Sequence, residues 1–472
     1  MSFASVTFLW YFMPGVLLAY WVLPGRLRNP LVAAASLVFY TWGGGRYVLL
    51  LVACVGYNYA AGLALDSAWS RARPAWRRAV LVASIAAELA VLAVWKYATF
   101  ASAQLHHAFA QVPLLRIALP IGISFFTFHD LSYVIDVYRG SRRAQRSPVQ
   151  FAMYIAMFPQ LIAGPIVRYH EIAEQLAQTG RNRLGDLAAG FPRFALGLAK
   201  KVVVADSVAP VANAVFGADP GALDWRTAWI GALAYTVQIY FDFSGYSDMA
   251  IGLARMLGLR FPEHFDRPYS AVSVTDFWRR WHMSLSRWFR DYVYIPLGGN
   301  RGGPLATYRN LALVFVLTGI WHGANWTFLL WGLYHGTLLV VERLSGLNRL
   351  DPARWPVPRR AVTALLVVVG WVLFRSVTLG QAGRMLHRMF VPDSAATSTV
   401  LADSVHHQAM WIFALSLLVF AVPPGFVMGR YLQAPRDWTV TWARLGYAAV
   451  AAPYAAVLVA AGTYSPFLYY QF

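Results

Sequence analysis

Apolar stretches close to the length of a membrane-crossing helix recur at roughly 5–23, 30–45, 47–66, 79–100, 117–137, 190–215, 226–257, 311–341, 361–377, 408–428 and 443–463. More polar connections, among them the long stretches 138–189 and 258–310, separate them. The spacing predicts an all-α polytopic membrane protein with about ten or eleven transmembrane helices, some short or broken. Two stretches rich in proline and glycine interrupt it, Met157–Pro165 and Phe261–Pro304. Such sequences predict re-entrant or surface-lying backbone, tolerated at membrane depth only inside protein or beside a water-filled cavity. No internal repeat and no long polar linker divides the chain, so residues 1–472 read as one integral domain.

From Thr275 to Arg290 arginines alternate with tryptophans at helical spacing. The pattern predicts an amphipathic segment in a headgroup interface, with guanidinium groups of Arg279, Arg280 and Arg287 available to lipid or ligand phosphates. Interface anchoring alone explains it equally well.

Composition supports the membrane reading. Hydrophobic residues make up 58% of the chain and charged residues 13%, well below the roughly 25% charged content of a soluble domain. The net charge of +19 would suit a nucleic-acid partner, but the arginines sit between apolar runs, where the positive-inside bias puts them. Taking Arg26/Arg28, Arg71/Arg73/Arg77/Arg78 and Arg139/Arg142/Arg143/Arg146 as cytoplasmic lets the first five segments alternate and places the N-terminus outside. The first segment has no basic residue before it and two after it, the reverse of a cleavable signal, so it is expected to stay as a helix. The single cysteine, Cys54, excludes an intramolecular disulfide and a cysteine metal cluster, and reads as a small core residue.

Candidate chemistry begins at His322. It stands within Trp321-His322-Gly323-Ala324-Asn325-Trp326, inside a run from Leu311 to Val341 that lacks Asp, Glu, Lys and Arg. Ionisable groups at membrane depth usually mark a pathway, relay or reacting centre, although a histidine there can simply bond a neighbouring helix. If His282 faces the same cavity, His322 can take a proton from a hydroxyl acceptor while His282 orients or polarises the acyl group. Asn325, one helical turn beyond His322, offers an amide to a developing oxyanion; an interhelical hydrogen bond is the plainer reading.

Asp242 and Asp248 lie among aromatic residues and must be paired, solvated or protonated; a structural network is the simpler explanation. The chain shows no tight metal-ligand spacing, so no catalytic metal is expected. Gly298-Gly299-Asn300-Arg301-Gly302-Gly303 lacks the Lys-Ser/Thr of a phosphate loop, and Ser244 and Ser247 lack a nucleophile-elbow context. The apolar tail from Tyr464 to Phe472 either anchors in the interface or carries a phenol to a buried base.

Several runs together resemble the membrane-bound O-acyltransferase family, within it the bacterial branch that includes the alginate O-acetylation membrane protein. They are Pro120–Phe128, Ser132–Arg139, Phe158–Pro165, Tyr240–Asp248, Asp276–His282 and Trp321–Ala324. The resemblance implies a ring of helices around a central depression, with two funnels meeting near His322 as the catalytic histidine and His282 as the second characteristic position. Phe467-Leu468-Tyr469-Tyr470-Gln471-Phe472 looks like the F-x-Y-x-x-F tail of cross-membrane members, which implies Tyr469 as a transient acyl acceptor. Tyr470, where related tails often carry Phe, leaves that assignment ambiguous. His129-Asp130 departs from the less polar residues expected after Pro120–Phe128 and is taken to tune a partner surface or to sit on a helix face near water.

These expectations combine into an O-acyltransferase of the bacterial inner membrane, multi-pass, with His322, His282 and Tyr469 catalytic and Asn325, Arg279, Arg280, Trp321 and Asp242 binding substrate. It would hold no bound cofactor and draw acetyl groups from cytoplasmic acetyl-CoA. The acetyl would pass to a periplasmic SGNH-type transferase for an exported polysaccharide, alginate first. Transfer to peptidoglycan or teichoic acid is the alternative acceptor chemistry. A polysaccharide transporter using the histidines as a proton path is the alternative class.

Overall fold

The computed structural model describes residues 2–178, 183–347, 350–351, 354–392, 398–422 and 438–462. All regular structure among them is helical. The principal helices are α1 (Met13–Val22), α2 (Gly25–Gly44), α3 (Val48–Asp66), α4 (Pro74–Ala108), α5 (Ile123–Arg139), α6 (Pro148–Ala156) and α7 (Tyr169–Ala177). They continue as α8 (Arg183–Ala199), α9 (Asp206–Gly217), α10 (Trp225–Met256), α11 (Val274–Arg280), α12 (Met283–Phe289), α13 (Gly303–His322), α14 (Trp326–Leu344), α15 (Pro356–Arg375), α16 (Leu379–Phe390), α17 (His407–Ser416) and α18 (Trp438–Ala460). Among the described residues three stretches are long and apolar enough to cross a membrane: Gly25–Asp66, Pro74–Ala108 and Pro356–Arg375. The chain is an all-α polytopic membrane protein.

Packing gathers into two compact units that exchange segments. One comprises Met1–Ala195 and Tyr246–Pro262, the other Leu196–Gly245 and Glu263–Phe472. In the first, α5 packs against α3 and α4. The loops after α3 and α5 meet at Asp66, whose carboxylate lies 3.3 Å from Arg71 and 3.4 Å from Arg143. Two of the three basic loops therefore share one face, as the positive-inside reading requires. His129 and Asp130 differ from expectation. Both are fully buried, because neighbouring helices cover the α5 surface that their polarity would assign to water.

In the second unit the run from 311 to 341, read from sequence as one crossing, is a helical hairpin. Helix α13 ends at His322, Gly323 is extended (φ −174°, ψ 157°), and α14 starts three residues later. Glycine sets the hairpin's closeness: a Cβ on Gly319 would lie 2.4 Å from the Phe328 carbonyl oxygen, and one on Gly332 would lie 2.3 Å from that of Phe315. Small residues let helix backbones approach this closely in membranes.

The window 190–215 is also interrupted, by a π-turn at Lys200–Ala205 between α8 and α9. There Lys201, 2% exposed, sits 2.5 Å from Asp206 and 2.8 Å from Asp242.

Candidate active site

The segment between α10 and α13 supplies half of the site. Instead of one amphipathic helix it forms two seven-residue helices, α11 and α12, separated by Trp281 and His282. Its tryptophans do not line a bilayer interface. Trp278, Trp281 and Trp288 are buried, and Trp281 lies against Trp371 (ring centres 4.7 Å) and Phe265 (5.0 Å). Burying large aromatic surface inside the unit outweighs placing it at the headgroups.

His282 occupies the left-handed region (φ 47°, ψ 46°), uncommon for a non-glycine residue. Such a conformation costs about 1–3 kcal/mol and persists only where the surroundings enforce it. Enforcement comes from two backbone bonds flanking the turn: Met283 N–H donates to the His264 carbonyl (2.9 Å), and Asp266 N–H donates to the Arg280 carbonyl (2.9 Å). The His282 ring is fully buried. It lies edge-on to Phe243 (4.8 Å) and His264 (4.4 Å).

The α13–α14 hairpin supplies the other half. His322, 3% exposed, is the last residue of α13 and sits at the hairpin bend. Trp321 (4.9 Å), Trp331 (5.0 Å) and Phe374 (5.2 Å) surround its ring. The rings of His282 and His322 are 6.2 Å apart between centres and inclined at 67°, with Trp321 also 6.0 Å from His282. Two residues forty positions apart in sequence thus converge in one buried aromatic wall. The arrangement allows one imidazole to move a proton while the other fixes the orientation of a reacting group.

The other predicted residues fall into different settings. Asn325 is not on the helix of His322: it caps α14, with its side-chain oxygen accepting from Thr327 N–H (3.1 Å) and its amide donating to the Val377 carbonyl (2.9 Å). Asp242 is held by Lys201 in the buried ion-pair group described above. Arg280 pairs with Asp276 (2.8 Å), whereas Arg279 is exposed. Asp248 belongs to the first unit and pairs there with Arg193 (2.5 Å). Tyr469 and Tyr470 lie outside the described residues. No cluster of metal-ligating side chains occurs among the described residues.

Two further buried histidines stand close to this wall. His335 is buried on α14 and accepts from Trp278 Nε1 through its Nδ1 (3.4 Å), with its ring 5.1 Å from Trp331. His264 shares a 2.8 Å hydrogen bond with the Ser284 hydroxyl through its own Nδ1. His335 had a usable signal, since it is the second histidine in the same uncharged run. His264 had none, because only the folded turn brings it to His282.

The membrane-bound O-acyltransferase family model matches residues 85–376, which include both site histidines. A protein of Pseudomonas syringae pv. tomato named "Probable alginate O-acetylase AlgI" is 40% identical over 525 aligned positions, covering 100% of each chain. A protein of the same name from Azotobacter vinelandii is 47% identical over 83% of this chain and 78% of its own. The peptidoglycan O-acetyltransferase of Helicobacter pylori is 35% identical over 82% of this chain and 79% of its own. With the family model spanning more than half its length and relatives aligned over all of it, the chain belongs to the membrane-bound O-acyltransferase family.

Proposed function

We propose that this O-acyltransferase takes acetyl groups from acetyl-CoA on the cytoplasmic side of the bacterial inner membrane and delivers them outward for O-acetylation of an exported polysaccharide, alginate. The observation that carries the reading is the convergence of His282 and His322 in one buried wall, in a chain similar end to end to an alginate O-acetylase.

In the transfer step the acceptor hydroxyl oxygen attacks the thioester carbonyl carbon, forming a C–O bond as the C–S bond breaks. His322 takes the hydroxyl proton and returns it to the departing thiolate, the general acid–base role of a positioned imidazole. His282 holds the carbonyl in line. The exposed Arg279 offers its guanidinium to the donor's phosphates. Tyr469 in the tail is the first acceptor, and a periplasmic SGNH-type transferase moves the acetyl onward to the polymer. Trp321 forms part of the wall against which the acetyl group packs.

The test is expression in alginate-secreting cells that lack their own acetylation membrane protein, with acetyl content of the secreted polymer measured by NMR. Restored acetylation supports the reading. Unacetylated alginate alongside newly acetylated peptidoglycan would favour the second acceptor, for which the Helicobacter relative argues.

A further inference from the structure

His264 grips the turn of His282 twice. Its main-chain carbonyl accepts from Met283 N–H (2.9 Å), and its ring Nδ1 shares a 2.8 Å hydrogen bond with the Ser284 hydroxyl. Met283 and Ser284 are the residues that follow His282 and open α12. A single bond would let the start of α12 pivot about it, whereas bonds from one partner to two successive residues fix both its position and its direction. His282 needs this, because its left-handed backbone (φ 47°, ψ 46°) persists only where the surroundings enforce it. The rings add a contact: His264 lies edge-on to His282 at 4.4 Å, and both touch Phe243, at 5.0 and 4.8 Å.

The other ring nitrogen separates this role from a chemical one. His264 is fully buried, and its Nε2 is sealed from solvent with no hydrogen-bond partner among the described residues. A proton relay needs a partner at each ring nitrogen, and a catalytic group needs to reach the substrate. His264 has neither. Burial, with His282 and Arg287 beside it, holds its pKa well below the ordinary histidine value, so the ring is neutral. An imidazole with one nitrogen stranded is costly to bury, whereas an apolar side chain of the same size would pack against Phe243 and Phe265 (5.0 Å each) without that cost. What the ring offers that an apolar residue lacks is the bond to Ser284.

Resting on the acetyl-transfer reading above, we propose that His264 is a positioning residue of the site: through Ser284 it sets the start of α12, and so the place of the His282 imidazole, without touching donor, acceptor or the transferred acetyl group. Reacting groups have to be held within about 0.5 Å of the productive geometry by neighbours that are themselves bonded. A misplacement of about 1 Å costs on the order of 10²-fold in rate.

Two substitutions separate positioning from packing. His264→Leu fills the space of the ring and removes the bond, whereas His264→Asn keeps an amide atom where Nδ1 stands and leaves part of the space empty. Membranes of alginate-secreting cells that lack their own acetylation membrane protein, carrying the full chain or a variant, receive labelled acetyl-CoA. Polymer labelling gives kcat and KM, and thermal unfolding of the purified chains gives Tm. The rate should follow the bond: His264→Leu lowers kcat about 10–100-fold with KM and Tm near native, while His264→Asn has the lower Tm and keeps kcat within about threefold. In a His282→Ala background His264→Leu should cost no further rate, because it acts through His282. The proposal is overturned if kcat follows Tm, with His264→Leu the more active of the two, or if His264→Leu lowers residual transfer equally in the native and His282→Ala chains. Undiminished transfer in His282→Ala removes the role of His282 and the positioning role with it; reduced transfer there beside a fully active His264→Leu removes the positioning role alone. Should His264→Leu fail to fold, Ser284→Ala decides: a lowered kcat at native KM upholds the role and a native kcat refutes it.

Discussion

Lys201→Met separates a structural role for Asp242 from a substrate-binding one. Lys201, Asp206 and Asp242 are all at least nine-tenths buried, with the ammonium 2.5 and 2.8 Å from the two carboxylates. At an effective dielectric near 20, a pair at this distance attracts by about 6 kcal/mol. Desolvation of the ions offsets much of that gain, so the intact group contributes little net stability. Breaking it is another matter. Met keeps the length and apolar stem of Lys201 but leaves two carboxylates buried beside each other, a loss of about 3–5 kcal/mol. The triple variant Lys201→Met, Asp206→Asn, Asp242→Asn removes the stranded charge and should recover more than half of that loss. Thermal unfolding of the purified chain, with retained helix content followed by circular dichroism, reads both. The reasoning is refuted if Lys201→Met costs less than about 1 kcal/mol, the level of an exposed pair, or if the triple variant is no more stable than the single one. If the triple variant is stable yet loses affinity for donor, Asp242 touches substrate after all.

The remaining predictions concern the hairpin and the donor. Gly332→Leu forces α13 and α14 apart, and it should lower stability by about 1–3 kcal/mol and acetyl transfer by more than tenfold; a fully active variant would dissociate hairpin closeness from the placement of His322. Trp331, fully buried beside His322 and 6.1 Å from Trp371, should cost about 3–5 kcal/mol as Trp331→Ala, read by thermal unfolding, with Trp331→Phe much milder. Asn325→Ala should cost about 1 kcal/mol as a lost helix cap and Asn325→Ser should restore it. A drop of about 10²-fold in turnover with unchanged stability would instead assign Asn325 to the oxyanion. Arg279→Ala should raise KM for acetyl-CoA while leaving kcat and stability near native, and the effect should shrink with added salt.

The sequence made some of this legible and hid the rest for physical reasons. Helical, membrane-embedded architecture follows from long apolar runs because the bilayer demands internally bonded backbone, and α4, α10 and α15 lie where hydropathy puts them. The break at Gly323 escaped that reading, since hydropathy sums composition and ignores the tight hairpin that Gly319 and Gly332 permit. The Trp/Arg segment misled for a related reason: period and composition are the same whether tryptophans face lipid or core. His322 was visible as an ionisable group in an uncharged run. Its convergence with His282 was not, because that depends on a left-handed turn fixed by bonds to His264 and Asp266. Asp242 reads from sequence as a carboxylate in need of a partner, and spacing does not reveal that partner because Lys201 comes from a π-turn forty-one positions earlier.

The most direct test of the central claim is mass spectrometry of the C-terminal peptide after membranes containing the chain receive isotopically labelled acetyl-CoA, with His322→Ala and Tyr469→Phe in parallel. Label is expected on Tyr469 in the native chain and on neither variant's tail at that position, with acetylation of the polymer reduced by about 10²–10⁴-fold in His322→Ala. Undiminished polymer acetylation in His322→Ala would show that His322 is not the base of the transfer.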